Sequence, residues 1–168
     1  MRRIALAVVL SVVAGACGGA SKTTAPSPTS LSTALPSTTT APTTSIAPAE
    51  AEAQIRAAQS NLRKALTAAE VVYTDNNSYS AADESTNGLR TIEPSLTYVA
   101  HNVPSTGAQV VSVHAEAGQW SGAALAHPGA CYFIRDVPSD RATTYGKTTT
   151  PADCNGDHAD SAASPAFP

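Results

Sequence analysis

From Cys17 to Pro48 the chain is made almost entirely of Ser, Thr, Pro and Ala, and Leu31, Leu35 and Ile46 are its only sizeable aliphatic side chains. Ordering a residue's backbone costs about 1–2 kcal/mol, and so few apolar groups cannot offset that over the whole stretch. The composition predicts a disordered linker over residues 17–48. Its Ser, Thr and Pro content makes it a semi-extended stalk, either O-glycosylated or bare. The foldable part is thereby confined to residues 49–168, enough for one modest domain and not for two. No internal repeat divides it.

Ahead of the linker, Arg2 and Arg3 precede an apolar run from Ile4 to Val13, then Ala14, Gly15, Ala16 and Cys17. A bilayer-spanning helix needs about 20 apolar residues, and this run ends well short of that, so residues 1–16 read as a cleavable export signal. The cysteine directly after small residues resembles the lipobox of bacterial lipoproteins, although Ala14 stands where lipoboxes usually carry Leu. The resemblance implies a signal peptide over 1–16, a diacylated Cys17 as the new first residue, and a chain held at the outer face of the cell membrane through lipid. Two or more acyl chains on one residue anchor stably. Cleavage after Ala16 without lipidation is the alternative.

Losing Arg2 and Arg3 from the ten Lys and Arg would leave eight against thirteen Asp and Glu, a charge of −5. An acidic chain of this kind is not expected to bind nucleic acid. From Ala49 to about Thr74, Ile55, Leu62, Leu66, Ala69 and Tyr73 fall on one arc at the helical repeat, with Gln54, Arg56, Asn61, Arg63 and Lys64 pointing away. Val71 lies off the stripe and is expected to make a second contact near the helix end. Leu89–Pro94 reads as a helical turn or a short connector. Strands are expected at Leu96–Ala100, Gln109–His114, Trp120–Ala126 and Ala130–Asp136, the last three joined by short turns in an antiparallel meander. The fold class is therefore α+β, one long helix on a small antiparallel sheet of about four strands. The chain has three cysteines. In an exported domain Cys131 and Cys154 default to a disulfide, which leaves Cys17 as the odd thiol. That bond would pin residues 137–153, which have little apolar surface of their own, and the end of the chain is expected to be a loose tail.

The run AQSNLRKALTAAEVVYTDNNSYS, then LRTIEPSLTYV, VVSV, CYFIRD, TTYG and Cys154, resembles the globular part of bacterial type IV pilin-like proteins, especially those of actinobacteria, over residues 55–156. The resemblance implies a helix packed on an antiparallel sheet, with Leu62, Leu66 and Tyr73 facing it, and a loop closed by Cys131 and Cys154. The chain departs from a true pilin in lacking the prepilin-peptidase site and the long apolar helix half that packs pilins into fibres. A lipid-anchored envelope protein is implied, with a role in pilus-associated, adhesive or structural binding. A solute-binding or enzyme-accessory lipoprotein that shares only the architecture is the alternative.

No enzyme is expected. The sequence has no G-x-S-x-G, and its domain cysteines are accounted for by the bridge. His101, His114, His127 and His158 lack zinc-ligand spacing, no H-E-x-x-H occurs, and each reads as a surface or turn residue. No cofactor is implied. Asp153, Asn155, Asp157 and Asp160 copy part of a calcium loop, but the glycine falls at position four, position twelve is not Glu, and Cys154 interrupts the pattern. A solvated acidic tail is the stronger reading. Trp120, Tyr79, Tyr98 and Tyr145 are read as core in preference to a ligand-binding aromatic patch.

Overall fold

The computed structural model describes residues 47–85, 87–127 and 129–168, so the predicted signal segment, Cys17 and nearly all of the linker lie outside the described residues. Helix α1 runs from Pro48 to Asn76. Pro48 occupies the first turn, where its missing N–H costs nothing. Glu50 in the same turn complements the helix dipole. The helix ends at Asn77, whose φ of 52° is left-handed and whose N–H donates to the Tyr73 carbonyl at 2.7 Å. Asn is one of the few non-glycine residues that adopts this conformation readily.

The apolar face of α1 is broader and smaller in side chain than the stripe predicts. Ala58, Leu62, Ala65, Leu66, Ala68, Ala69 and Val72 are buried, while Ile55 and Tyr73 pack at its margins. Val71 makes no such contact. It is 45% exposed, because one step along the helix turns a side chain by about 100° and Val72 takes the inward position. The alanines let the helix backbone come close to the sheet.

After the short helix α2 (Leu89–Ile92) come β1 (Thr97–Ala100), β2 (Val110–Glu116), β3 (Gln119–Ala126), β4 (Ala130–Val137) and β5 (Ala142–Thr148), with a last short helix α3 (Gly156–Ala159). The α+β class holds, but the sheet has five strands in the order β1-β2-β3-β4-β5 and is mixed. β2 to β5 form the antiparallel meander, whereas β1 pairs parallel to β2, with Thr97 opposite Val110. The parallel pairing follows from residues 101–109, which carry the chain back to the start of β2 in place of a tight hairpin. The additional strand, β5, lies in the segment read as having little apolar surface. It is an edge strand, held mainly by its ladder to β4.

Side chains alternate across the sheet. Tyr98, Val111, Val113, Trp120, Ala124 and Ile134 belong to the main core cluster, which is shared with α1. The Trp120 indole, fully buried, lies over Gly122, where an added Cβ would come within 2.8 Å of the ring, and its N–H donates to the Ala82 carbonyl at 3.0 Å. The opposite, outer face carries a second cluster of Ala123, Cys131, Phe133, Cys154, Ala159 and Ala162. Half of that cluster, Cys154, Ala159 and Ala162, comes from the segment after β5, so the expected tail is the cover of the outer face.

Candidate functional site

Among the described residues, two histidine–carboxylate pairs lie together on the outer face, where α3 crosses β2 and β3. Gly156 makes the crossing possible. A Cβ there would meet the His114 nitrogen and the Val113 carbonyl carbon at 2.8 Å, so only glycine lets the backbones approach this closely. Its N–H donates to the Oγ of buried Ser112 at 2.9 Å, and that hydroxyl donates onward to the Ala100 carbonyl at 3.0 Å.

From α3 and the residue after it, two carboxylates reach the sheet. His101 Nδ1 donates to Asp157 at 2.7 Å and His114 Nδ1 donates to Asp160 at 2.8 Å. An ionised carboxylate only accepts, so in each pair the imidazole nitrogen carries the proton. The two rings lie 5.2 Å apart centre to centre. Asp160 accepts also from Gln119 Nε2 at 2.7 Å and from the hydroxyl of fully buried Ser121. Gln119 Oε1 in turn accepts from Arg135 Nε at 2.9 Å and Nη2 at 2.6 Å. One carboxylate thus ties α3 to β2 and β3, and through Gln119 to β4. The Ser121 hydroxyl is spent on Asp160 and its side chain is buried, so this cluster reads as a clamp rather than as a nucleophile with its base.

Cys131 and Cys154 are joined, with Cα atoms 5.5 Å apart, and close the loop as read from the cysteine count. The members of the partial calcium pattern do not converge. Asp153 lies 3.5 Å from His158 Nε2, Asn155 caps α3 by accepting from the His158 N–H at 3.0 Å, Asp157 holds His101, and Asp160 holds His114. Among the described residues no three His, Cys, Asp or Glu side chains are arranged to hold a metal ion. His127 and His158 are exposed, whereas His114, expected at the surface, is largely covered by α3. The sequence hides the His101–Asp157 and His114–Asp160 pairs because they are separated by 56 and 46 positions. The spacing of Asp157 and Asp160 along one helical turn was the only local signal.

Trp120, Tyr79 and Tyr98 are core residues, all at or below 1% exposure, and Tyr145 is half-buried. The Tyr79 hydroxyl donates to Asp136 Oδ2 at 2.6 Å, and Thr143 donates to the other oxygen at 2.8 Å. Burial, and then the bond to Asp136, push the Tyr79 phenol far above its usual range. The fully buried Tyr98 hydroxyl has no hydrogen-bond partner among the described residues. An open groove of about 550 Å³ runs between the first half of α1 and the loop before β2, lined by Gln54, Ala57, Asn61, Ala108 and Gln109 among others. Asn61 Nδ2 donates across it to the Ala108 carbonyl at 2.8 Å. No described helix is long and apolar enough to cross a membrane. No family model matches this chain, and neither a curated protein nor a solved structure matches it significantly.

Proposed function

We propose that the chain is an exported, non-enzymatic lipoprotein, held at the outer face of the cell membrane through acylated Cys17, whose pilin-like domain serves pilus-associated, adhesive or structural binding in the envelope. The observation that carries this reading is the Cys131–Cys154 bond. It takes up two of the three cysteines and leaves Cys17, preceded by small residues and an apolar run, as the remaining thiol. The long helix on a meander with a cystine-closed loop agrees with what the pilin resemblance implies. The groove beside Gln54 and Asn61 is the feature a solute-binding protein would use. It is open and lined by carboxamides and small side chains, which suits surface contact more than enclosure of a solute.

Intact mass spectrometry of the protein from the membranes of its own host, before and after reduction, tests the proposal. The expected product starts at Cys17, carries acyl chains, and gains about two daltons on reduction, the two hydrogens of one opened bridge. An unacylated product, or one starting elsewhere, overturns the anchor. A Cys17→Ser variant should leave the membrane fraction while keeping the 131–154 bridge.

A further inference from the structure

His101 and His114 stand side by side because β1 and β2 are parallel. The last register pair is Ala100 with Val113, so the residues that follow fall beside each other, with ring centres 5.2 Å apart. Glu116, two positions further along β2, shares the face of His114. Asp157 and Asp160, three positions apart and so on one side of a helical turn, accept the Nδ1 proton of the two rings. Each imidazole is thereby fixed in the tautomer whose Nε2 carries a lone pair.

In His114 that lone pair faces another acceptor. Nε2 lies 3.5 Å from Glu116 Oε1, beyond the reach of a good hydrogen bond. With the proton on Nδ1, nitrogen and carboxylate both only accept, and the juxtaposition is favourable only with a cation between them. The separations suit a metal ion. Two ligands on a tetrahedral ion, each about 2.0–2.2 Å from it, lie about 3.4 Å apart, and the centres of two imidazoles on such an ion lie about 5.2 Å apart. The structure has 3.5 Å between Nε2 and Oε1 and 5.2 Å between the rings. Asp157, Asp160 and Glu116 bring three carboxylates to the two rings, and the Arg135 guanidinium is joined to them only through Gln119. His158 Nε2 also lies 3.5 Å from a carboxylate, that of Asp153, but its Nδ1 faces the neutral Asn155 Oδ1 at 3.2 Å, so no carboxylate fixes its tautomer.

We propose that His101, His114 and Glu116 form a binding site for a borderline divalent ion of the zinc(II) class, with Nε2 of each ring and a Glu116 oxygen as ligands and a fourth position open to solvent. His114 and Glu116 already stand at ligand spacing. His101 is half exposed, its ring hydrogen-bonded among the described residues to Asp157 alone, and it turns its Nε2 inward to complete the set. That turn is why three ligands do not converge without the ion. Asp157 and Asp160 hold the rings by their other nitrogens, the arrangement that orients metal-ligating histidines and raises their basicity. Imidazole nitrogen favours zinc, nickel and copper over calcium and magnesium, which prefer oxygen ligands throughout. The inference rests on the folded domain alone and is independent of the lipid anchor.

The test uses the full chain carrying Cys17→Ser, which removes the thiol outside the bridge. It is stripped of metal with a chelator and titrated with zinc chloride in a calorimeter. One ion per chain is expected. Glu116→Gln alters an exposed side chain and should weaken binding by about tenfold or more while leaving the metal-free Tm unchanged. His101→Ala should weaken binding to a similar extent. Zinc should raise the Tm of the parent chain, since the ion binds the folded state, and should do so much less in either variant. Nitrogen-15 spectra of the imidazoles locate the ion. The Nε2 signals of His101 and His114 should move with zinc, and those of His127 and His158 should not. His114→Ala is expected to loosen α3, so the two surface variants carry the test. A chain that binds no zinc overturns the proposal and leaves a proton as the cation between His114 and Glu116. Affinity unchanged in both variants, or signals that move only at His127 or His158, places the ion elsewhere and overturns it as well. Calcium binding as tight as that of zinc overturns the choice of ion.

Discussion

At the scale of single residues, two buried tyrosines make opposite predictions. Tyr79 donates to Asp136, whereas the Tyr98 hydroxyl is buried with no partner among the described residues. Removing a satisfied hydroxyl loses a charge-assisted bond, while removing an unsatisfied one relieves a desolvation cost. Tyr79→Phe is therefore expected to lower stability by about 1–2 kcal/mol, and Tyr98→Phe to be neutral or to raise it by up to about 1 kcal/mol, as read from urea midpoints at constant slope. Glu70 supplies a pH test. Glu70 is exposed, yet desolvation by the groups around it, and then the neighbouring Asp136, push its carboxyl above the usual range. A carboxyl whose folded-state pKa exceeds the unfolded value favours folding while protonated, and that advantage fades as pH rises through the folded pKa. Glu70→Gln should accordingly raise Tm at neutral pH and leave it unchanged near about pH 3, where the native side chain is already neutral. Equal shifts at both pH values would mean that the charge of Glu70 is not involved.

At the scale of elements, α3 depends on the close approach of Gly156 and on the bond beside it. Gly156→Ala drives a methyl into the β2 backbone and should cost about 1–3 kcal/mol. Opening the Cys131–Cys154 loop, with its sequence separation of 23, should cost about 3 kcal/mol in the chain-entropy model, measured on the double Ser variant by thermal unfolding. The elements were unequally legible in the sequence. α1 and the three long strands β2 to β4 fall within a few positions of the predicted spans, because α1 carries a helical period of apolar side chains and the strands are short apolar runs bounded by turn residues. β5 has neither. Ala142–Thr148 is Ala, Thr, Tyr, Gly and Lys, a half-buried edge held by backbone bonds that leave little trace in side-chain type. The direction of β1 was hidden for a related reason, since residues 101–109 read as a loop whichever way they carry the chain. The clamp was invisible because its histidines and carboxylates meet only once the sheet is assembled, whereas the cystine could be read from the cysteine count.

At the scale of the whole molecule, the segment after β5 changes what the domain is. Read from composition, it was an acidic tail. In the structure it covers the outer face with α3, rounds the β5 edge at Ser164 and closes the inner side with Phe167. Removing residues 150–168 should therefore expose Ala123, Cys131 and Phe133 and produce aggregation or loss of cooperative unfolding, checked by light scattering and calorimetry. Strands adjacent in the sheet are also adjacent in the chain, from β1 through β5. Short-range pairing of this kind lowers contact order and speeds folding. A chain delivered amino end first can add each strand to one already in place, while the apolar face of α1 waits for β3 and β4 and the outer face of the sheet waits for the segment after β5. From the arrival of α1 to that of the segment after β5, the growing domain therefore presents apolar surface to proteases and to wrong partners.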